Sequence, residues 1–235
     1  LCLAYEEVRK YFVKLYLELL DEYDFDGLFV CFRSQSKPAE FADQFNFNEP
    51  VRRDFQKIYG KDILKDDFNL QDWRDLVGKY ITDFLRVLKN ELRKKNRSLS
   101  IGLARGDVIG PPLGNTTLQW REWIQDGLVD NLIINQSSCQ CPSIHHKLWP
   151  MHNGSGYVQN YLDSCNLPPI EKHLNESYFP IVSKSSANLY VARQWNQRSE
   201  KEEMELLNNP SVSGLVFSSF RFDNLGPLAR NNWVA

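Results

Sequence analysis

Residues 23–50 read "YDFDGLFVCFRSQSKPAEFADQFNFNEP". Within it, "GLFVCFR" (27–33) is an apolar run of strand length. Its apolarity is continuous rather than alternating, which fits a strand buried on both faces, as in a parallel sheet. A polar, Pro-containing segment follows at once, with Arg33, Ser34, Gln35, Glu40, Asp43, Asn48 and Glu49. So many hydrogen-bonding side chains behind one buried strand raise the question of what they face.

The same alternation runs outward through the chain. Upstream, Val8, Tyr11, Phe12, Leu15, Tyr16, Leu19 and Leu20 recur at helical spacing, so residues 5–21 read as an amphipathic helix. Downstream, "VRRDFQKIYG" reads as a short helix ending at Gly60. The stripe Trp73, Leu76, Val77, Tyr80, Ile81, Phe84, Leu85 and Leu88 marks a core-facing helix, with Asp72 as its expected cap. "SLSIGLA" (98–104) is strand-like, and "ARGDVIGPPLGN" (104–115) reads as a loop by its Gly and Pro content. "LQWREWIQDG" reads as a helix stopped at Gly127, and "VDNLIINQ" as a strand.

Residues 137–187 read as a long irregular segment with one helix near 156–164; loops of this length are usually functional. "NLYVARQW", "SEKEEMELLNN" and "VSGLVFSSF" complete the pattern as strand, helix and strand. There is no internal repeat.

Composition narrows the function classes. Of 235 residues, 42% are hydrophobic and 25% charged, an ordinary globular balance. The net charge of -2 provides no basic field for a phosphate backbone, so no nucleic-acid partner is expected. The basic run "RKKNR" (93–97) closes a helix, where cations meet the negative end of the helix dipole. No apolar run approaches the ~20 residues a bilayer crossing needs, so no membrane is expected either. Five cysteines in a chain of this size do not describe a disulfide-framed miniature fold.

Five buried strands alternating with helices imply an α/β fold with a parallel sheet and right-handed crossovers. An open doubly wound sheet normally carries a Gly-rich phosphate turn after an early strand. None follows Phe32 or Leu103. The strand-to-helix connections are long and polar, and the helix-to-strand connections are short. That asymmetry favours a (β/α)8 barrel with its site at the carboxyl ends of the strands.

Four stretches, "YDFDGLFVCFRSQS", "FADQFNFNEPVRRDFQKIYGKDI", "WREWIQDGLVDNLIINQ" and "VSGLVFSSF", resemble the later part of the glycosyl hydrolase-like TIM barrels related to glycosyl hydrolase-like family ten. The resemblance extends over most of residues 5–225 and implies a single, incomplete barrel domain over 1–235, with strands four to eight present. It also implies a poly- or oligosaccharide ligand, an extracytoplasmic or secreted setting, and no cofactor. One departure stands out. Relatives place an Asp near the end of the fourth strand, where this chain has Cys31, while Arg33 keeps the place of the relatives' Arg. A second is that Arg193, Gln194 and Trp195 end the expected seventh strand without a carboxylate.

Glycosidic cleavage uses two carboxyl groups about 5 to 9.5 Å apart. Asp107 and Asp223 are the leading candidates, with Glu40, Asp43 and Glu49 behind them. Arg33, Gln35, Asn48, Arg105, Gln136, Arg193 and Gln194 suit contacts to hydroxyls and carboxylates. His146 and His152 are hydrogen-bonding or acid–base candidates, and Trp149 and Trp195 suit stacking on sugar rings. Asp24, Asp26 and Asp130 precede strands and belong to the end of a barrel that serves stability. Cys139, Cys141, His145, His146 and His152 do not follow a zinc-finger spacing, so no metal is expected. The chain has no G-x-S-x-G elbow, P-loop or H-E-x-x-H motif. A catalytically silent carbohydrate-binding barrel is the alternative to a hydrolase.

Overall fold

The computed structural model describes residues 2–32, 46–103, 108–109, 116–134, 169–194 and 200–218. Helix α1 (Glu6–Tyr23) leads into β1 (Gly27–Phe32). Helices α2 (Glu49–Tyr59) and α3 (Leu70–Lys94) precede β2 (Ser98–Leu103). A short antiparallel hairpin, β3 (Val108–Ile109) with β4 (Thr116–Thr117), comes before α4 (Trp120–Gln125) and β5 (Asn131–Ile134). Helix α5 is composite: Ile170–His173, the π-helical turn Leu174–Tyr178, and Phe179–Val182. Strand β6 (Asn188–Gln194), helix α6 (Glu200–Leu207) and β7 (Gly214–Ser218) follow.

The five long strands form one parallel sheet in the order β1-β2-β5-β6-β7. Apart from the hairpin, this is the order of the chain, with no reversal among the described strands. A doubly wound sheet reverses direction at a switch point and carries helices on both faces. Right-handed crossovers laid down in one direction put every helix on the same face.

The core follows that rule. Leu28, Leu99, Ile101, Leu132, Ile134, Leu189 and Val191 lie in one row set of the pleat. They share a single apolar cluster with buried residues of α1, α3, α4, α5 and α6, among them Leu20, Leu88, Trp123, Tyr178 and Leu206. The opposite row set carries Phe29, Cys31, Ser100, Gly102, Asn131, Ile133, Asn188, Tyr190 and Ala192. At its amino end Asn131 Nδ2 donates to Ser100 Oγ at 3.0 Å, and Asn188 Nδ2 donates to Asn131 Oδ1 at 3.0 Å. Side-chain amides thus link three neighbouring strands on the face away from the helices.

The amino ends of the strands are closely fastened. Gly27 sits where a Cβ would lie 2.5 Å from the Ser98 carbonyl oxygen, so glycine lets β1 meet β2 there. Asp24 pairs with Arg97, and Asp130 accepts hydrogen bonds from Lys89 Nζ and from the backbone N–H of Leu99 at 2.7 Å. Lys89 itself is only 4% exposed, and Asp130 supplies a hydrogen-bonding partner for its buried ammonium group. Arg93 Nη2 donates to Gly127 O at 2.8 Å. The carboxyl end of α3 therefore holds the turns that enter β1, β2 and β5. The expectation that Asp24, Asp26 and Asp130 belong to this end agrees with these contacts.

Three local expectations are corrected. The cap of α3 is Asn69, whose Oδ1 accepts the Gln71 N–H at 2.9 Å, rather than Asp72. Asp72 lies inside the first turn, where its charge favours the helix dipole. The segment read as a loop over 104–115 contains β3 and leads into β4, and the hairpin packs on α3. A Cβ on Gly78 would lie 2.0 Å from the Thr117 carbonyl oxygen, so glycine permits that approach.

The third correction concerns 170–182, which is helical although it lay within the segment read as irregular. Its helical period is interrupted at Pro180, which has no N–H to give. The turn before it widens, and the Phe179 N–H reaches back five residues to Leu174 O. The expected helix near 156–164 lies outside the described residues.

Candidate active site

Because the five strands of the sheet run parallel, their carboxyl ends lie on one side. These ends are Phe32, Leu103, Ile134, Gln194 and Ser218. Most of the expected site residues follow these ends and lie outside the described residues: Arg33, Gln35, Glu40, Asp43, Arg105, Asp107, Gln136, His146, Trp149, His152, Trp195 and Asp223. The zinc candidates Cys139, Cys141, His145, His146 and His152 are among those outside. The described residues contain no cluster of His, Cys, Asp and Glu able to hold a metal ion.

Four candidates are described at least in part. Asn48 occupies the cap position of α2 with extended backbone (φ -74°, ψ 168°), yet its side chain makes no cap bond. Its Oδ1 is buried and accepts no hydrogen bond among the described residues. A buried amide oxygen left in this state carries a desolvation cost. Glu49 opens α2, where a carboxylate is favoured by the helix dipole. Its side chain is exposed.

Arg193 belongs to the row of Leu189 and Val191, on the helix side of the sheet. Its Nη2 donates to Glu202 Oε2 of α6 at 2.5 Å. This guanidinium joins β6 to α6, which is a structural task rather than the substrate contact expected of it. Gln194 is the last residue of β6, in register with Ser218. Cys31, at the position where the resemblance expects an Asp, lies in register with Gly102 on the face away from the helices.

The structure also builds a polar platform that sequence reasoning did not single out. Helix α2 packs through Val51 and Phe55 on Trp73, Leu76 and Tyr80 of α3, forming a second apolar cluster. Phe47, next to Asn48, stacks on Trp73 with ring centroids 5.0 Å apart. Arg52 grips Asp62 with two hydrogen bonds, Nε to Oδ1 at 2.9 Å and Nη2 to Oδ2 at 2.5 Å. These bonds, with the Leu64 N–H and the nearby charges of Arg52 and Lys65, hold the Asp62 carboxyl down at about 2.

The Tyr80 hydroxyl donates to Asp54 Oδ2 at 2.8 Å; burial first, then that bond and the Asp54 charge, push its proton affinity well up. It stays a neutral donor. Two signals were present in the sequence: Arg52 and Asp62 bracket the helix stop at Gly60, and Tyr80 lies on the apolar stripe. Neither feature by itself specified a partner.

Comparison with known proteins adds little. No family model matches the chain. Laccase-2 of Podospora anserina is 34% identical over 67 residues, covering 28% of this chain and 10% of the laccase. A crystal structure of the Ostrinia furnacalis Group IV chitinase in complex with allosamidin aligns with a TM-score of 0.35 at 14% identity. That alignment covers 82% of this chain and 41% of the chitinase. The chain spans about a tenth of the laccase it matches and two fifths of that chitinase.

Proposed function

We propose that residues 1–235 form the later part of a (β/α)8 barrel whose strand carboxyl ends carry a carbohydrate site, and that it cleaves glycosidic bonds by carboxylate acid–base chemistry. One observation carries the reading: five parallel strands follow chain order, and α1, α3, α4, α5 and α6 share one apolar cluster with a single face of their sheet. A sheet wound this way curls toward closure and gathers its strand-to-helix connections on one rim. Those connections hold the polar segments of the sequence, so in this reading the side chains after Phe32 serve that rim.

In this reading Asp107, after β2, and Asp223, after β7, are the acid–base pair. Glu40 and Asp43 stand behind them, and Glu49 last because it already serves the start of α2. Arg33, Gln35, Asn48, Arg105, Gln136 and Gln194 hold hydroxyls. His146 and His152 donate hydrogen bonds, and Trp149 and Trp195 offer planes to sugar rings. The unsatisfied Oδ1 of Asn48 supports its assignment, since a ligand hydroxyl would supply the missing donor.

A second reading, a barrel that binds sugar without cleaving it, is favoured by Cys31. A thiol stands where the relatives carry a carboxylate.

A polysaccharide panel separates the two readings, with Asp107→Asn and Asp223→Asn made alongside the unaltered protein. The hydrolytic reading expects turnover that falls by about 10²- to 10⁴-fold in each variant while binding persists. Unchanged turnover in both removes the assigned pair. Binding with no turnover in any form selects the silent barrel.

A further inference from the structure

The hairpin β3–β4 is too small to hold itself. Val108 pairs with Thr117 and Ile109 with Thr116, and an isolated pair of strands is marginal in water even when longer. Its position is therefore set by what it is fastened to, and the fastening is α3. Gln71, Asp75, Gly78 and Thr82 stand four, three and four residues apart, the spacing of one stripe along a helix. Each of them meets the segment 117–119. Gln71 Nε2 donates to Thr117 Oγ1 at 2.9 Å and to Asp75 Oδ1 at 2.8 Å, and Thr117 Oγ1 donates to the same Asp75 oxygen at 2.6 Å. Gly78 makes room for the Thr117 carbonyl. Thr82 Oγ1 donates to Gln119 Oε1 at 2.6 Å.

This fastening is more specific than burial requires. Thr116 and Leu118, on either side of Thr117, are each 2% exposed, so the segment is already covered. Gln71 is exposed, and Asp75 and Thr117 are half-buried. Hydrogen bonds so close to water add modestly to stability, but they are directional. A hydroxyl that accepts from one partner and donates to another has its rotor fixed. Val108, the register partner of Thr117, directly follows Asp107 in the chain. Upstream, β2 ends at the fully buried Leu103. Residues 104–107 therefore join two strands held by different supports, β2 by the sheet and β3 by α3.

We propose that Thr117, held by Gln71 and Asp75, is a positioning residue for Asp107, and that the α3 stripe sets through the hairpin where this carboxyl stands. Its catalytic consequence rests on the assignment of Asp107 above; the link itself does not. A displacement of about 1 Å at a reacting group can cost ~10²-fold in rate, so an acid–base carboxyl on a connection needs a rigid support.

Carbon-13 NMR of protein labelled at the aspartate Cγ tests it, with the Asp107 signal assigned by its loss in Asp107→Asn. Thr117→Val removes the hydroxyl and keeps the β-branched shape, and Thr117→Ser keeps the hydroxyl. The expected result is an Asp107 titration midpoint moved by at least ~0.5 unit in Thr117→Val and restored in Thr117→Ser. Gln71→Met, a change on the exposed side of α3, should move it in the same direction, and it carries the test if Thr117→Val does not fold. Asp75 loses a hydrogen bond in either variant, so its own signal is not the readout. An unmoved Asp107 midpoint in Thr117→Val, or in Gln71→Met where Thr117→Val does not fold, overturns the proposal. A midpoint moved equally in Thr117→Ser overturns it too, because the hydroxyl is then not the link. No turnover is measured, so Asp107→Asn in the polysaccharide panel can fail while this link stands, and the reverse.

Discussion

Helices α3 and α1 are both long and amphipathic, yet they are used differently. Thirteen of the 25 residues of α3 are buried, including Arg74, Thr82 and Lys89. Only Val13 and Leu20 are buried among the 18 residues of α1. α3 has the sheet beneath it, α1 and α4 beside it, and α2 and the hairpin at its amino-terminal half. α1 touches the sheet and α3, and shows its remaining apolar ridge to solvent. The central helix has both more neighbours and the more sharply segregated apolar face, and the marginal one has less of each.

Substitutions along these two helices sharpen the contrast. The largest effect is expected where α3 meets α4. Trp123 is fully buried, donates from Nε1 to Thr82 Oγ1 at 2.7 Å, and packs on Phe32 with centroids 5.7 Å apart. Trp123→Ala should lower unfolding free energy by about 3 to 5 kcal/mol in urea titration. A loss below ~1 kcal/mol would show that the α3–α4 contact is not a keystone of the core.

Next comes Gly78→Ala, which drives a methyl group into the Thr117 carbonyl. Overpacking costs about 1 to 3 kcal/mol, against up to about 1 kcal/mol of better helix propensity. Net destabilisation is expected in the same titration, and a gain in stability would deny the close approach of hairpin and helix. At the other extreme, Leu15→Glu on α1 should change the stability of the 235-residue chain by no more than about 0.5 kcal/mol.

The platform beside α3 offers a pH-dependent test. Asp62 has its folded affinity for protons lowered to about 2 by Arg52. An unfolded Asp titrates near ~3.9, so the folded state gains from the ionised form above that pH. The gain is lost as acid protonates Asp62 between about pH 4 and pH 2. Thermal melts should show a steeper decline over this range for the unaltered protein than for Asp62→Asn. Parallel declines would remove the Arg52–Asp62 clamp from the stability of the α2 platform.

The sheet was legible because buried parallel strands announce themselves as uninterrupted apolar runs; all five stretches expected to be strands are strands. Helix α3 was legible for a similar reason, since a stripe from Trp73 to Leu88 has only one helical reading. What escaped was structure without a period. The widened turn before Pro180 breaks the 3.6-residue rhythm of α5, and a two-residue strand such as Thr116–Thr117 is too short to alternate. Asn69 and Asp72 are both good cap residues, and only the bond to the Gln71 N–H decides between them.

The carboxyl ends of the strands were legible in the sequence, and the contacts of single side chains far less so. Arg193 illustrates why. Its place near a strand end suggested a ligand, while the pleat put it among Leu189 and Val191, and Glu202 of α6 took it. One residue of register separates those fates.

The order of the strands has a consequence for how the molecule is made. No described strand of the parallel sheet must be threaded between two that precede it, so a chain emerging from the ribosome can extend a finished edge one unit at a time. Vectorial synthesis and the final topology therefore run in the same direction, and no earlier pairing has to be undone.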